Sequence, residues 1–287
     1  MNVEVKLSAN AALTPGQVES FKERGYVIAD FGLDPDQLDR IVTQVRPLYG
    51  SSYEQNPTLP ARVQDAWKTI DGVRRLARNE KIAVALEQLC GRKALPFQTL
   101  NFPVGTRQWA HSDTIHFNSI PAGYMVGVWV ALEDIDADNG PLIYYPGSHK
   151  MQEYSMSDFS LEPGYANYRH YEARIQGLIA AEKLEPEYGT IKKGEALIWH
   201  ANLLHGGAPQ KDMSRSRHSQ VTHFYFENCR YYTPINSKAG SPAFRDPEWI
   251  PEQVYNRHRA RITSLGKRVV RKLGRAGNRV RKLFINQ

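Results

Sequence analysis

Cysteine is nearly missing from this 287-residue chain: Cys90 and Cys229 are the only two. A disulfide scaffold and a cysteine-rich metal site are therefore both excluded, and two reduced thiols are expected. No stretch reaches the roughly 18 consecutive apolar residues of a membrane-spanning helix. Residues Met1 to Asn10 show neither an apolar run nor a small-residue cleavage site, so no secretory leader is expected. These absences point to a cytoplasmic protein, at most peripheral at a membrane. Internal repeats and low-complexity segments are also lacking. The last 31 residues lack acid altogether: from Arg257 onward there are eleven Lys or Arg and no Asp or Glu. The rest then carries 26 basic and 30 acidic side chains, so the formal charge of +7 belongs to the tail and the body is mildly acidic.

What is present reads as helices first and strands afterwards. Thr14-Pro15-Gly16-Gln17 is a helix start with a capping box, and Gly25 closes that helix. Tyr26-Val27-Ile28 is a short strand. Asp34-Pro35 opens a second helix with Leu38, Ile41, Val42 and Val45 on one face. Between Pro47 and Pro60 a loop is expected. Asn79 to Cys90 is helical, stopped by Gly91. After Pro96, aromatic and β-branched residues dominate, predicting strands over 97–102, 108–113, 124–132, 142–145, 196–200 and 219–227. Residues 151–188 interrupt them with a helix over 168–183, which either covers a site or packs on the strand body. The pattern predicts an α+β chain around a β-barrel or jelly roll.

His111-Ser112-Asp113 is a His-x-Asp triplet. On a strand its outer members point to one side and reach one ion. One more histidine completes a two-His, one-carboxylate set that leaves open positions on Fe(II), as O2 chemistry requires. His200, His205, His218 and His223 can all supply it. His205 follows an apolar run and precedes Gly206-Gly207, glycines that let groups crowd close to an ion; His200 fits better as a packing residue. A keto-diacid such as 2-oxoglutarate needs a buried cation for its far carboxylate, ideally a guanidinium. Arg215 and Arg217 both follow at a suitable distance, and Ser219 shares the face of Arg217.

In their order these pieces resemble the phytanoyl-CoA dioxygenase family of Fe(II)/2-oxoglutarate oxygenases. The resemblance runs from about residue 14 to 228. It rests on Leu13-Thr14-Pro15-Gly16-Gln17 with Gly25-Tyr26-Val27, on Gln108-Trp109-Ala110-His111-Ser112-Asp113, and on Trp129-Val130-Ala131-Leu132-Glu133-Asp134. Asn139-Gly140-Pro141-Leu142, Pro146-Gly147-Ser148-His149, His205-Gly206-Gly207 and Arg217-x-Ser219 follow. It implies a double-stranded β-helix (cupin-like jelly roll) with flanking N-terminal helices, and iron at His111, Asp113 and His205. It also implies 2-oxoglutarate held by Arg217 and Ser219, with Trp129, Gln108 and Arg62 as further contacts. Where some members carry a hydroxyl two residues after the distal histidine, this chain has Gly207. Related halogenases lack the carboxylate at Asp113, so hydroxylation with release of succinate and CO2 is the implied outcome.

The domain reading is an oxygenase domain over 1–256 (helical N-terminal segment 1–95, β core 96–230, insertion 151–188) and a tail over 257–287. Leu265, Val269, Leu273, Val280 and Phe284 recur there at helical spacing among the basic residues, which suits an anionic membrane surface or packing. Without interleaved aromatics, nucleic acid is disfavoured. A small-molecule or lipid-like substrate is expected, and the oligomeric state is not legible. Two rivals stand: an O2-independent metal-dependent jelly-roll enzyme, disfavoured by the carboxylate anchor Arg217-x-Ser219, and a non-catalytic membrane-surface protein, disfavoured by the complete ligand set.

Overall fold

The computed structural model describes residues 12–57 and 60–252. Along the chain come α1 (Pro15–Arg24), β1 (Tyr26–Asp30), α2 (Pro35–Val45), α3 (Ser51–Gln55), β2 (Val63–Gln64), α4 (Asp71–Ala77) and α5 (Glu80–Cys90). Then follow β3 (Ala94–Phe102), β4 (Asn118–Ile120), β5 (Met125–Ala131), β6 (Leu142–Tyr144), α6 (Tyr168–Ala181), β7 (Glu187–Tyr188), β8 (Glu195–His200), β9 (His205–Gly207), β10 (Ser219–Phe226) and β11 (Arg230–Tyr232).

The helix ends form for the reasons the sequence gives. The Thr14 side chain accepts from the Gln17 backbone N–H while the Gln17 side chain accepts from Thr14, and Gly25 closes α1 at φ 83°. Such caps contribute about 1 kcal/mol each. Asn79 caps α5 and Gly91 ends it in the left-handed region.

Three antiparallel sheets carry the body. The largest has strand order β1-β8-β5-β10-β3-β2, the next β7-β6-β9, and the smallest β11-β4. In the large sheet the two-residue period separates the faces. Val126, Val128, Val130, Ala196, Ile198 and Phe224 face a core with Phe21, Leu38, Ile41, Val73, Leu76, Ile82 and Leu86 of the helices. Trp129, Leu197, Trp199 and Val221 face the other way, toward Tyr144 and Ile191. Both faces are covered, so β5 and β10 are buried at every position and read as continuous runs, not alternating ones.

Four expectations are corrected. The segment after Pro47 is not a plain loop: Arg46–Tyr49 is a 3-10 turn and α3 follows, together burying Tyr53. Gln108 to Asp113 is not a strand. Only His111 makes a bridge, to His205, and Asp113 starts a 3-10 turn. The N-terminal segment supplies a second strand besides the expected one at Tyr26, since β2 joins β1 in flanking the large sheet at its two edges. The insertion ends early, because Glu187–Tyr188 pairs with β6. The tail over 257–287 lies outside the described residues, and among those described no helix is long and apolar enough to cross a membrane.

Candidate metal centre and co-substrate pocket

The side chains of His111, Asp113 and His205 converge where the large sheet meets the three-stranded one. Their ligand atoms lie within 4.8 Å of one another, and all three residues are buried. Ser112 is extended (φ −104°, ψ 145°), which is enough to put His111 and Asp113 on one side without a strand. The backbone bridge between His111 and His205, N–H to carbonyl at 2.9 Å in both directions, brings the distal histidine alongside. His111 Nε2 is 3.9 Å from one Asp113 oxygen and His205 Nε2 is 3.9 Å from the other.

Each imidazole is held by the carbonyl two residues before it. His111 Nδ1–H donates to Trp109 O at 3.0 Å and His205 Nδ1–H donates to Leu203 O at 2.9 Å. A carbonyl only accepts, so Nδ1 carries the proton and Nε2 presents a lone pair to the centre. Burial, and then the neighbouring His205, push His111 down to about 4, so it is a neutral ligand at neutral pH. Burial alone would raise the Asp113 carboxyl; the surrounding imidazoles of His205, His223 and His111 outweigh it and hold Asp113 well below the ordinary carboxylate range. A carboxylate and two imidazoles are the donor set of a divalent iron or zinc site.

A cavity of about 210 Å³ opens from this centre. At its inner end Arg217 is buried at 2 % exposure. One guanidinium N–H donates to Ser219 Oγ at 2.8 Å, while Nε has no partner. Among the described residues no carboxylate forms an ion pair with it, although Glu133 acts on it at longer range; burial lowers it to about 10, so it stays charged at neutral pH. A buried cation without a paired counter-ion is costly, and an anionic ligand would relieve that cost. Trp129 lies beneath it, ring centroid 5.3 Å from the guanidinium carbon, with its own buried Nε1–H unpartnered. Arg215, the other sequence candidate, sits outside and pairs with Asp136.

The remaining candidates divide. Gln108 lines the cavity but donates to Tyr168 Oη (3.2 Å) and Glu172 Oε1 (3.3 Å) of α6. Arg62 is exposed and lines the cavity, where its charge acts on His116 and Tyr165. His200 is not at the centre: it packs against Phe21 and His149. The glycines after His205 make room for the chain that leads into His111. A Cβ on Gly206 would fall 2.6 Å from Gln108 O, and one on Gly207 would fall 2.7 Å from Thr106 Oγ1, so they admit the 106–110 backbone. The insertion both packs and reaches the site. Tyr171 and Ile175 bury against Ala110 and Leu204, while Tyr165 stacks on His116 at 5.7 Å at the cavity mouth.

Two site residues were not singled out: Trp199, whose Nε1–H donates to Asp113 Oδ2 at 2.9 Å, and Gln98, bonded to His223 at 3.0 Å. Both lie inside apolar strand runs, where only three-dimensional register shows their role.

Known proteins resemble this chain in sequence and in fold. The phytanoyl-CoA dioxygenase (PhyH) sequence profile matches residues 9–219. Peroxisomal phytanoyl-CoA dioxygenase of Bos taurus is 24% identical over 254 residues, covering 77% of this chain and 71% of its own length. The Homo sapiens enzyme of that name is 27% identical over 131 residues, 44% of this chain and 36% of its own. Ectoine dioxygenase of Nocardia farcinica is 25% identical over 213 residues, 67% of this chain and 71% of its own. Among solved structures, a non-heme alpha ketoglutarate dependent carbocyclase from nogalamycin biosynthesis superposes with TM-score 0.62 at 15% identity, over 84% of this chain and 96% of its own. EctD from S. alaskensis with bound Fe gives 0.61 at 18%, over 81% and 84%. With a profile match spanning most of the sequence and a donor set and buried arginine to go with it, the chain belongs to the phytanoyl-CoA dioxygenase family of Fe(II)- and 2-oxoglutarate-dependent dioxygenases.

Proposed function

We propose that His111, Asp113 and His205 hold Fe(II), that Arg217 with Ser219 anchors the far carboxylate of 2-oxoglutarate, and that the protein hydroxylates a small molecule. The carrying observation is a single cavity lined both by converging lone pairs and by a buried guanidinium that makes no ion pair and keeps Nε unpartnered. The two strand layers flanking it fit a double-stranded β-helix. Trp129 offers an indole N–H and a flat apolar wall beside the anchor.

When bound, Fe(II) and 2-oxoglutarate supply the O2-dependent oxidation that yields succinate and CO2. The chain's role is positioning and water exclusion. His111 and His205 are locked in one tautomer by backbone carbonyls, Asp113 keeps its charge, and Arg217 sets the direction of the co-substrate. Asp113 occupies the place that a halide would need, so hydroxylation is the favoured outcome.

The substrate would enter past Arg62, Gln64, His116 and Tyr165. That mouth is polar and aromatic, which suits a small molecule with polar groups better than a wholly apolar chain. The tail over 257–287 is a candidate contact for an anionic membrane surface on its basic pattern alone. Liposome co-sedimentation of the chain without it tests this, and unchanged binding ends the idea.

The test of the main reading needs no substrate. Fe(II) and then 2-oxoglutarate are added without oxygen, and the visible spectrum is recorded. A weak charge-transfer band, lost in Arg217→Ala and His205→Ala, is expected. Bound iron without a band would mean that the keto acid does not chelate, and would favour an O2-independent metalloenzyme.

A further inference from the structure

Three neighbouring strands present one row of residues to the metal centre. In the register, Gly127 of β5 pairs with Trp199 of β8 on one side and with His223 of β10 on the other. Trp199 and His223 meet edge to face across the glycine, ring centroids 6.4 Å apart at 90°. Gly127 has ordinary strand conformation, so its role is space: a Cβ there would collide with the Trp199 indole. A glycine in the middle of a buried strand costs roughly 0.5–1 kcal/mol relative to alanine, and here it makes room for the Trp199 indole.

Both rings address the same atom. Trp199 Nε1–H, which can only donate, reaches Asp113 Oδ2 at 2.9 Å. His223 Nε2 stands 3.6 Å from that oxygen. On its far side His223 Nδ1 is tied at 3.0 Å to Gln98, its partner across β3, and the strand register shifts immediately after His223. The two oxygens stand equally far from the two histidines, Oδ1 3.9 Å from His111 Nε2 and Oδ2 3.9 Å from His205 Nε2, but only Oδ1 takes no hydrogen bond among the described residues. His223 is not among the residues whose ligand atoms lie within 4.8 Å of one another.

We propose that Trp199, admitted by Gly127, and His223 hold Asp113 as a one-oxygen ligand, with Oδ2 engaged by them and Oδ1 left for the metal. They are positioning residues. Two imidazoles and one carboxylate oxygen leave three positions of an octahedral ion open, enough for a bidentate keto acid and one further ligand. A carboxylate free to bind through both oxygens would take one of these. This inference rests on the metal assignment above but not on the identity of the co-substrate or substrate.

The test is a metal-binding cycle with Co(II), its affinity measured by chelator competition and its d–d spectrum recorded. The variants are Trp199→Phe, which keeps the ring and removes the N–H, and His223→Gln, each in the parent and in Asp113→Ala. Loss of outer partners of a ligand typically weakens metal binding roughly 10- to 100-fold. Expected is a loss of at least about 10-fold for Trp199→Phe and a smaller one for His223→Gln, with a changed d–d spectrum. In Asp113→Ala the same changes should alter affinity less than about 2-fold. Equal losses in both backgrounds would overturn the proposal, since the residues would then act through His205 or general packing. Unchanged affinity and spectrum in the parent would overturn it too. Failure of the wild type to show a 2-oxoglutarate band, with Co(II) bound normally, would count against the co-substrate reading and leave this cycle interpretable.

Discussion

The two ends of the cavity are built on opposite plans. At the metal end the polar atoms not offered to the ion are already engaged: His111 Nδ1 and His205 Nδ1 donate to carbonyls, and Asp113 Oδ2 accepts from Trp199. What remains free is a set of lone pairs. At the other end the buried Arg217 keeps Nε unpartnered and Trp129 keeps its Nε1–H unpartnered. What remains free there is a pair of donors. One end wants a cation and the other an anion, and a diacid bound to a metal answers both. Unsatisfied buried groups are costly in a folded chain, so their placement is informative about the ligand.

The comparison breaks most visibly at the metal end. Asp113→Ala or His205→Ala should abolish turnover, read as succinate formation; undiminished activity in either would remove the ligand assignment. The anchor end should fail differently. Arg217→Ala removes one partner of a buried charge pair, a change of about 2–5 kcal/mol, which corresponds to roughly a 30-fold or greater loss in 2-oxoglutarate affinity. Metal affinity should be unchanged, because Arg217 does not contact the donor set. Arg217→Lys should recover only a fraction, since an ammonium cannot reproduce the guanidinium fork. If Arg217→Ala weakened Co(II) binding as much as 2-oxoglutarate binding, the two ends would not be separable.

Acid sharpens the same contrast. Burial pushes His111 and His200 down to about 4 and His116 to about 3. In the unfolded chain these imidazoles take up protons near the ordinary histidine value of about 6.5. The unfolded state therefore binds more protons between about 6.5 and 4, so stability rises with pH and is lost as pH falls through that window. The depressed Asp113 acts in the same direction at lower pH. Each buried histidine should contribute about 1–3 kcal/mol to the loss by pH 4. Arg217, at about 10, keeps its charge throughout. Urea midpoints of the metal-free protein should fall between pH 7 and 4, and His200→Gln, outside the site, should flatten some of that slope. A pH-independent midpoint would contradict the buried-neutral assignment.

Local patterns carried much of this in the sequence, and long-range register carried the rest. Thr14, Gln17, Gly25, Asn79 and Gly91 announce their helix ends because caps depend on neighbours a few residues away. Arg217 and Ser219 come together, as the shared face of their two-residue spacing implied, and the buried hydrogen bond between them is an addition of the structure. The stretch 108–113 misled because aromatic and small residues fit a strand, while the close approach permitted by Gly206 and Gly207 holds it as a bridge and turn. Trp199 looked like core because one strand cannot reveal that Gly127 lies beside it. Position separates the four histidines: His205 bridges His111, His223 stands behind Asp113, His218 lies tilted against Tyr49, and His200 packs against Phe21 and His149.

The smallest expected effect concerns Arg62, placed by sequence among the co-substrate contacts. It is exposed at the mouth, and its charge acts on His116 and Tyr165 there. An exposed charge in high dielectric is worth about 0–1 kcal/mol, and salt screens it. Arg62→Gln should therefore weaken 2-oxoglutarate binding less than about 5-fold, and the difference should shrink between low and high ionic strength. Arg217→Ala should keep its large effect in salt, because its charge is buried and screened little. A salt-resistant loss for Arg62→Gln, as large as that for Arg217→Ala, would mean that the mouth closes over the co-substrate and that both ends of the cavity grip it with buried charge.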